Sequence, residues 1–236
     1  SGRQEHSRRS FSIDAINEFE DLVETIFSYS EKQELALETL THEDGVAQLE
    51  VNFLHGDPMD LADQVFAFKR TVREAAYKYD VYATFMAKPY QDQPGNSMHL
   101  HQSIVNKKSG ENVFVSKSGK FNKLFKSYIA GLQKYTPAAM PLYAPNVNSY
   151  RRITPHHSAP INTHWGIDNR TVGLRVPISG SEATRIENRI AGADTNPYLA
   201  MAASLASGYL GMEEKLTPTE PLDDSAYNLE ISLPRT

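Results

Sequence analysis

Residues 96–103 read NSMHLHQS and place two of the chain's 8 histidines, His99 and His101, one residue apart. An extended chain directs residues i and i+2 to the same side, so both imidazoles of a strand here look into one space. Two readings fit. The stretch is a half-buried strand whose polar face carries histidine, or it turns a pair of ligands toward a site. Its neighbours set the architecture. Upstream, VYATFMAKP (81–89) reads as a second strand across a proline-glycine loop; downstream, NKKSGEN marks a turn before a helix over 121–135.

Further out, Ile16, Phe19, Val23 and Ile26 recur at helical spacing and predict a helix over 13–33, with Asp14 as a candidate cap. VAQLEVNFL (46–54) alternates instead, with Ala47, Leu49, Val51 and Phe53 on one face and Gln48, Glu50 and Asn52 on the other. Pro58 opens a second helix over 59–79. From Pro137 to Pro160 the chain is proline-rich and irregular, and long structured loops are often functional. The strand-like GLRVP and TRIENRI follow, and Asn196-Pro197 supplies the cap and first-turn proline of a helix to about residue 212. Strands and helices succeed each other without the regular spacing of a doubly wound sheet, so the expected class is α+β.

The composition is that of a globular protein: 236 residues, 40% hydrophobic and 22% charged. Such a chain can bury a core without disulfides, and it has no cysteine, which fits a reducing, cytoplasmic setting. No apolar run approaches the roughly 18 residues of a membrane helix. The opening SGRQEHSRRS lacks the apolar segment of a secretory signal. A net charge of −5, with basic residues only in pairs such as Arg8-Arg9 and Arg151-Arg152, argues against nucleic acid as a partner.

Three polar faces carry candidate chemistry. Glu43 precedes the strand that presents Glu50, and two neighbouring carboxylates suit either solvent or one hard divalent cation. His99 and His101 suit a structural role, or a metal beside a ligand-binding imidazole. In TRIENRI, Arg185, Glu187 and Arg189 share one face. Such a row is a surface charge ladder worth little to stability, or an anion site built from guanidinium forks. Arg152, Arg170 and Arg175 add phosphate-ligand candidates, and arginines among glutamates suit a metal-bound polyphosphate. Neither a GxxxxGK[ST] loop nor a strand-linked GxGxxG is present, so any nucleotide is held differently.

Read in order, HEDGVAQLE, ATFMAKP, GNSMHLHQS, NVNSYRR, DNRTVGLRVP, TRIENR and NPYLAMAASLASGYLG resemble the glutamine synthetase family. The likeness is greatest to the bacterial branch that joins glutamate to putrescine or other amines. It implies a catalytic-domain fold with an antiparallel-rich curved sheet lining the site and helices outside. It also implies ATP and Mg²⁺ or Mn²⁺ as cofactors, glutamate and a small amine as substrates, and a ring-shaped homo-oligomer. By that resemblance Glu43 and Glu50 ligate one metal, while His99 and Glu187 ligate a second. His101 contacts substrate or nucleotide phosphate. Gly95 offers a backbone contact to glutamate, and Arg152 clamps its α-carboxylate. Arg170, Arg175 and Arg185 hold phosphate; Arg189 holds the γ-carboxylate and its phosphate; Ser103 lies against nucleotide.

Two departures from the family pattern stand out. Where ammonia-using members carry a glutamate just before Ala-Pro, this chain has Ser158, in RRITPHHSAP. A neutral serine holds no ammonium by charge and leaves room for a larger amine. Neither His156 nor His157 is a secure replacement base, because a loop histidine is often only solvated. The family's N-terminal β-grasp domain, and the paired glutamates that follow it, have no counterpart before Ser10. Residues 1–236 are therefore expected to form a single partial catalytic domain, inactive alone because each metal lacks one carboxylate. The alternatives are glutamine synthetase proper, using ammonia, and a non-catalytic family member.

Overall fold

The structure, a computed structural model, describes residues 9–155, 157–230 and 232–234. Two compact units emerge. The first comprises the described residues up to Phe85 with Pro89–Pro94, and the second comprises Met86–Lys88 with the described residues from Gly95 onward.

The first unit begins with two helices, α1 (Ile13–Asn17) and α2 (Glu20–Lys32), where one was expected. The apolar spacing runs on across Glu18 and Phe19, so periodicity alone does not reveal the break. Ser12, not Asp14, caps α1: its hydroxyl accepts from the Ala15 N–H at 3.3 Å. A hairpin follows, β1 (Leu37–His42) against β2 (Leu49–Phe53), antiparallel from Leu37↔Phe53 to His42↔Leu49. Of the strand expected over 46–54, β2 keeps only Leu49–Phe53, all half-buried, with Val51 and Phe53 packed on the core, while Ala47 adopts a left-handed turn conformation at φ 50°. Helix α3 (Pro58–Lys78) is capped by Asp57, whose carboxylate accepts from Met59 N–H at 2.9 Å. Ile26, Leu35, Phe68 and Ala75 form the core with Val51 and Phe53 packed against them, Phe53 meeting Phe68 edge-on at 5.3 Å.

The second unit is built on a four-stranded sheet of β3 (Leu100–Gln102), β4 (Trp165–Ile167), β5 (Leu174–Val176) and β6 (Ile186–Asn188), in the order β3-β6-β5-β4. Only the β4–β5 pair is parallel. The strands expected over 81–89 and 97–105 shrink to β3 alone. The side chain of Asn148 takes the backbone of Lys88 instead, accepting from its N–H and donating to its carbonyl, each at 2.9 Å. Those polar groups are satisfied without a ladder.

Helix α4 (Lys123–Tyr143) outruns its expected end at 135, passing through Pro137 and Pro141. The two prolines are four residues apart, so both missing donors fall on one side of the helix. Helix α5 (Val147–Tyr150) interrupts the stretch expected to be irregular, and α6 (Pro197–Glu213) starts at the Asn196 cap as its sequence predicts. α4 and α6 pack closely at glycines: a Cβ on Gly131 would lie 2.2 Å from the Ser207 carbonyl oxygen. Phe114, Phe125, Tyr128, Trp165, Leu174 and Ile186 fill one core cluster, in contact with the sheet strands. Among the described residues no helix is long and apolar enough to cross a membrane. The class is α+β, as expected.

Candidate active site

In the second unit the strand register sets a row of polar side chains. His101 on β3 lies opposite Glu187 on β6, which lies opposite Arg175 on β5. Glu187 sits at the centre, 2% exposed, among two arginines and two imidazoles. Its Oε1 accepts from Arg189 Nη1 at 2.7 Å and lies 3.3 Å from His99 Nδ1 and 3.9 Å from His101 Nε2. Its Oε2 accepts from Arg175 Nη1 at 2.8 Å. Burial alone would raise this carboxyl's pKa, but His99, Arg189, His101 and Arg175 together lower it to about 2. Glu187 is therefore ionised at neutral pH.

The two imidazoles are shifted downward as well, which for histidine favours the neutral form. His99 keeps 23% of its side-chain surface exposed, yet burial and the positive charge of Arg189 lower its pKa to about 3 against the pull of Glu187. His101 is also lowered, first by burial and then by Arg185 and Arg175. Arg185 Nε donates to His101 Nδ1 at 3.0 Å, which leaves Nε2 to carry the ring proton in the neutral form. At its far end Arg175 donates through Nε, at 3.2 Å, and Nη2, at 2.5 Å, to Asp168 Oδ1.

Arg152 approaches from the turn after α5. It is 3% exposed, and its Nη1 and Nη2 donate at 2.8 Å to the carbonyls of Ile190 and Arg189. Burial, with repulsion from Arg189, lowers its pKa to about 10. Gly95 lies so close that a Cβ there would stand 2.7 Å from Arg152 Cγ and 2.5 Å from the Ala87 carbonyl oxygen. This is a position at which only glycine fits. The buried Arg189 Nε finds no acceptor among the described residues, and Arg189 Nη2 reaches the Ser158 carbonyl at 3.4 Å. Ser158 itself is exposed, with φ 59°. An unmatched buried donor beside a second buried guanidinium is a ready site for an anion.

One network thus joins Gly95, His99, His101, Arg152, Ser158, Arg175, Arg185, Glu187 and Arg189. Ser103, just after β3, and Arg170, in the loop before β5, are exposed and stand outside it, with no hydrogen bond or ion pair among the described residues. Glu43 and Glu50 belong to the first unit. There Glu50 faces Thr41 across the hairpin, and just past β1 the Glu43 N–H donates to the Gln48 carbonyl at 2.8 Å. His156 lies outside the described residues. Asp168, Asp194 and Asn148 were not anticipated, because each acts on a partner distant in sequence and belongs to no local pattern.

The donor set fits a divalent cation in part. His99 offers a neutral imidazole and Glu187 an ionised carboxylate, a pair suited to Mn²⁺ or Mg²⁺ as two of its ligands. Among the described residues no cluster of three or more His, Asp or Glu side chains is arranged to hold an ion.

A family model described as glutamine synthetase, catalytic domain, matches residues 1–235. The chain belongs to the glutamine synthetase family. Among similar proteins, γ-glutamylputrescine synthetase PuuA of Escherichia coli (strain K12) is 39% identical over 221 residues, covering 93% of this chain and 47% of its own length. Glutamate–isopropylamine ligase of a Pseudomonas species is 36% identical, over 98% of this chain and 50% of the relative. Glutamine synthetase of Pyrococcus abyssi is 36% identical, over 93% and 49%. The chain spans about half the length of these relatives. A solved structure titled apo GmaS without ligand superposes with a TM-score of 0.86 at 29% identity, covering 98% of this chain and 54% of that one. The glutamine synthetase-type catalytic fold expected from the motifs is the fold observed.

Proposed function

We propose that this chain carries the glutamate-activating part of an ATP-dependent ligase that joins the γ-carboxylate of glutamate to a small amine. The observation that carries the reading is the buried Glu187 cluster beside Arg152 and Arg189. It sets two buried guanidiniums and an unmatched N–H next to an ionised carboxylate and a neutral imidazole. Arg152 holds the α-carboxylate of glutamate over Gly95. Arg189 holds the γ-carboxylate as its oxygen attacks the γ-phosphorus of ATP, releasing ADP and leaving γ-glutamyl phosphate. The amine nitrogen then attacks the acyl carbon, phosphate departs, and the nitrogen loses its proton. Arg170, Arg175 and Arg185 neutralise phosphate charge, His101 contacts the reacting phosphate, and Ser103 lies against the nucleotide. His99 and Glu187 supply ligands to one divalent cation, and Glu43 and Glu50 to another. When bound, such cations offset the repulsion between carboxylate and phosphate.

Ser158 favours an amine larger than ammonium, and two of the similar proteins are named for putrescine and isopropylamine. The second reading, glutamine synthesis from ammonia, draws on the Pyrococcus relative. ADP release by the full-length protein, with glutamate and each nitrogen donor in turn, separates them. A preference for an alkylamine or diamine supports the first reading; a preference for ammonium overturns it in favour of the second. No turnover with any nitrogen donor by a folded protein contradicts both.

A further inference from the structure

Arg152 is held at both ends by one segment of chain. Its guanidinium donates to the carbonyls of Arg189 and Ile190. A few residues on, Asp194 grips the turn from which Arg152 emerges: Oδ2 accepts from Ser149 Oγ at 2.6 Å and from Asn146 Nδ2 at 3.0 Å. Ser149 Oγ in turn accepts from the Asn146 N–H at 3.1 Å, closing the cap of α5 on the same carboxylate. On the other side Asn148 clasps the Lys88 peptide. Every polar side chain of Asn146-Val147-Asn148-Ser149 is thus committed to fixing the short helix that delivers Arg152.

Charge points the same way. Two buried guanidiniums, Arg152 and Arg189, repel each other, and each has a carboxylate to offset it. Glu187 contacts Arg189 directly. Asp194 attracts Arg152 through space without touching its guanidinium, whose two bonds to protein go to backbone oxygens. Asp194 Oδ1 is buried with no hydrogen-bond partner among the described residues, a cost usually tolerated where the charge itself is needed.

We infer that Asp194 is a positioning residue for glutamate recognition: it anchors the Asn146–Ser149 turn and counter-charges the Arg152 clamp without touching substrate. This rests on the proposed role of Arg152, and the test separates the two. In the full-length protein, D194A is expected to raise the KM for glutamate by about tenfold while leaving the KM for ATP within about twofold. D194N, which keeps an oxygen for Ser149 and Asn146 but loses the charge that faces Arg152, is expected to recover only part of that loss. R152A, measured alongside, raises the glutamate KM by about 10²-fold or more. If R152A acts on glutamate and D194A does not, the inference about Asp194 falls while the clamp stands. If both KM values rise in step with a lowered Tm in D194A, Asp194 is merely structural and the inference also falls. If R152A leaves the glutamate KM unchanged, the clamp fails and the inference with it. Should D194A not fold, S149A and N146A each remove one bond to Asp194 and are expected to raise the glutamate KM about threefold. No change in either overturns the proposal.

Discussion

Glu187 and Glu50 are both strand glutamates proposed to bind a metal, yet their surroundings are opposite. Glu187 is buried on an inner strand of its four-stranded sheet and is already matched by Arg175 and Arg189. Glu50 is half-buried in a two-stranded hairpin, and its side chain makes no hydrogen bond or ion pair among the described residues. One carboxylate is part of the fold's electrostatic framework, so function and stability are coupled there. The other is free to serve a ligand at little structural cost. The contrast teaches that one residue type at a site can be built in or merely presented, and that burial with counter-charges decides which.

The most severe way to break the contrast is E187A. It leaves two arginines facing an empty buried position, and chemical denaturation is expected to register a loss of about 3–5 kcal/mol together with loss of turnover. Gly95→Ala acts on the site rather than the framework. Its Cβ displaces the Arg152 stem, and steady-state kinetics are expected to record a fall of about 10²-fold in kcat/KM for glutamate. A pH titration extends the comparison to a third group, the fully buried Tyr143. Burial raises the Tyr143 hydroxyl to about 12 despite polar contributions from Ser204, Asn188 and Ser207. Because the folded pKa lies above the unfolded value near 10, Tyr143's contribution is complete below about pH 10 and is lost as pH rises toward 12. Alkaline denaturation of Y143F is therefore expected to lose less stability over that window, by up to about 2–3 kcal/mol. The smallest structural effect belongs to E50Q: stability within about 0.5 kcal/mol of the unsubstituted chain, with turnover reduced. A large loss of stability in E50Q would erase the distinction.

Parts of the fold and of the candidate site were legible in the sequence. NSMHLHQS and TRIENRI each read as a polar row in the sequence, and the structure adds that His101 lies directly opposite Glu187. The Asn196-Pro197 cap and the start of α3 were equally plain, since caps are local. What stayed hidden depended on contacts at long range. Residues 81–89 have strand-like composition, but the Asn148 side chain satisfies Lys88. β1, in LETLTH, has an alternation too weak to stand out until β2 pairs with it. The break at Glu18-Phe19 leaves the apolar period intact. Asp168 and Asp194 are single acids with no motif around them, and only the folded positions of Arg175 and Ser149 give them roles.

The most direct test of the proposed chemistry follows an oxygen atom. Glutamate labelled with ¹⁸O in its γ-carboxylate is supplied to the full-length protein with ATP and the preferred amine, and the released phosphate is analysed by mass spectrometry. Activation through γ-glutamyl phosphate transfers one labelled oxygen to phosphate in each turnover. Amide formation accompanied by unlabelled phosphate would contradict the account.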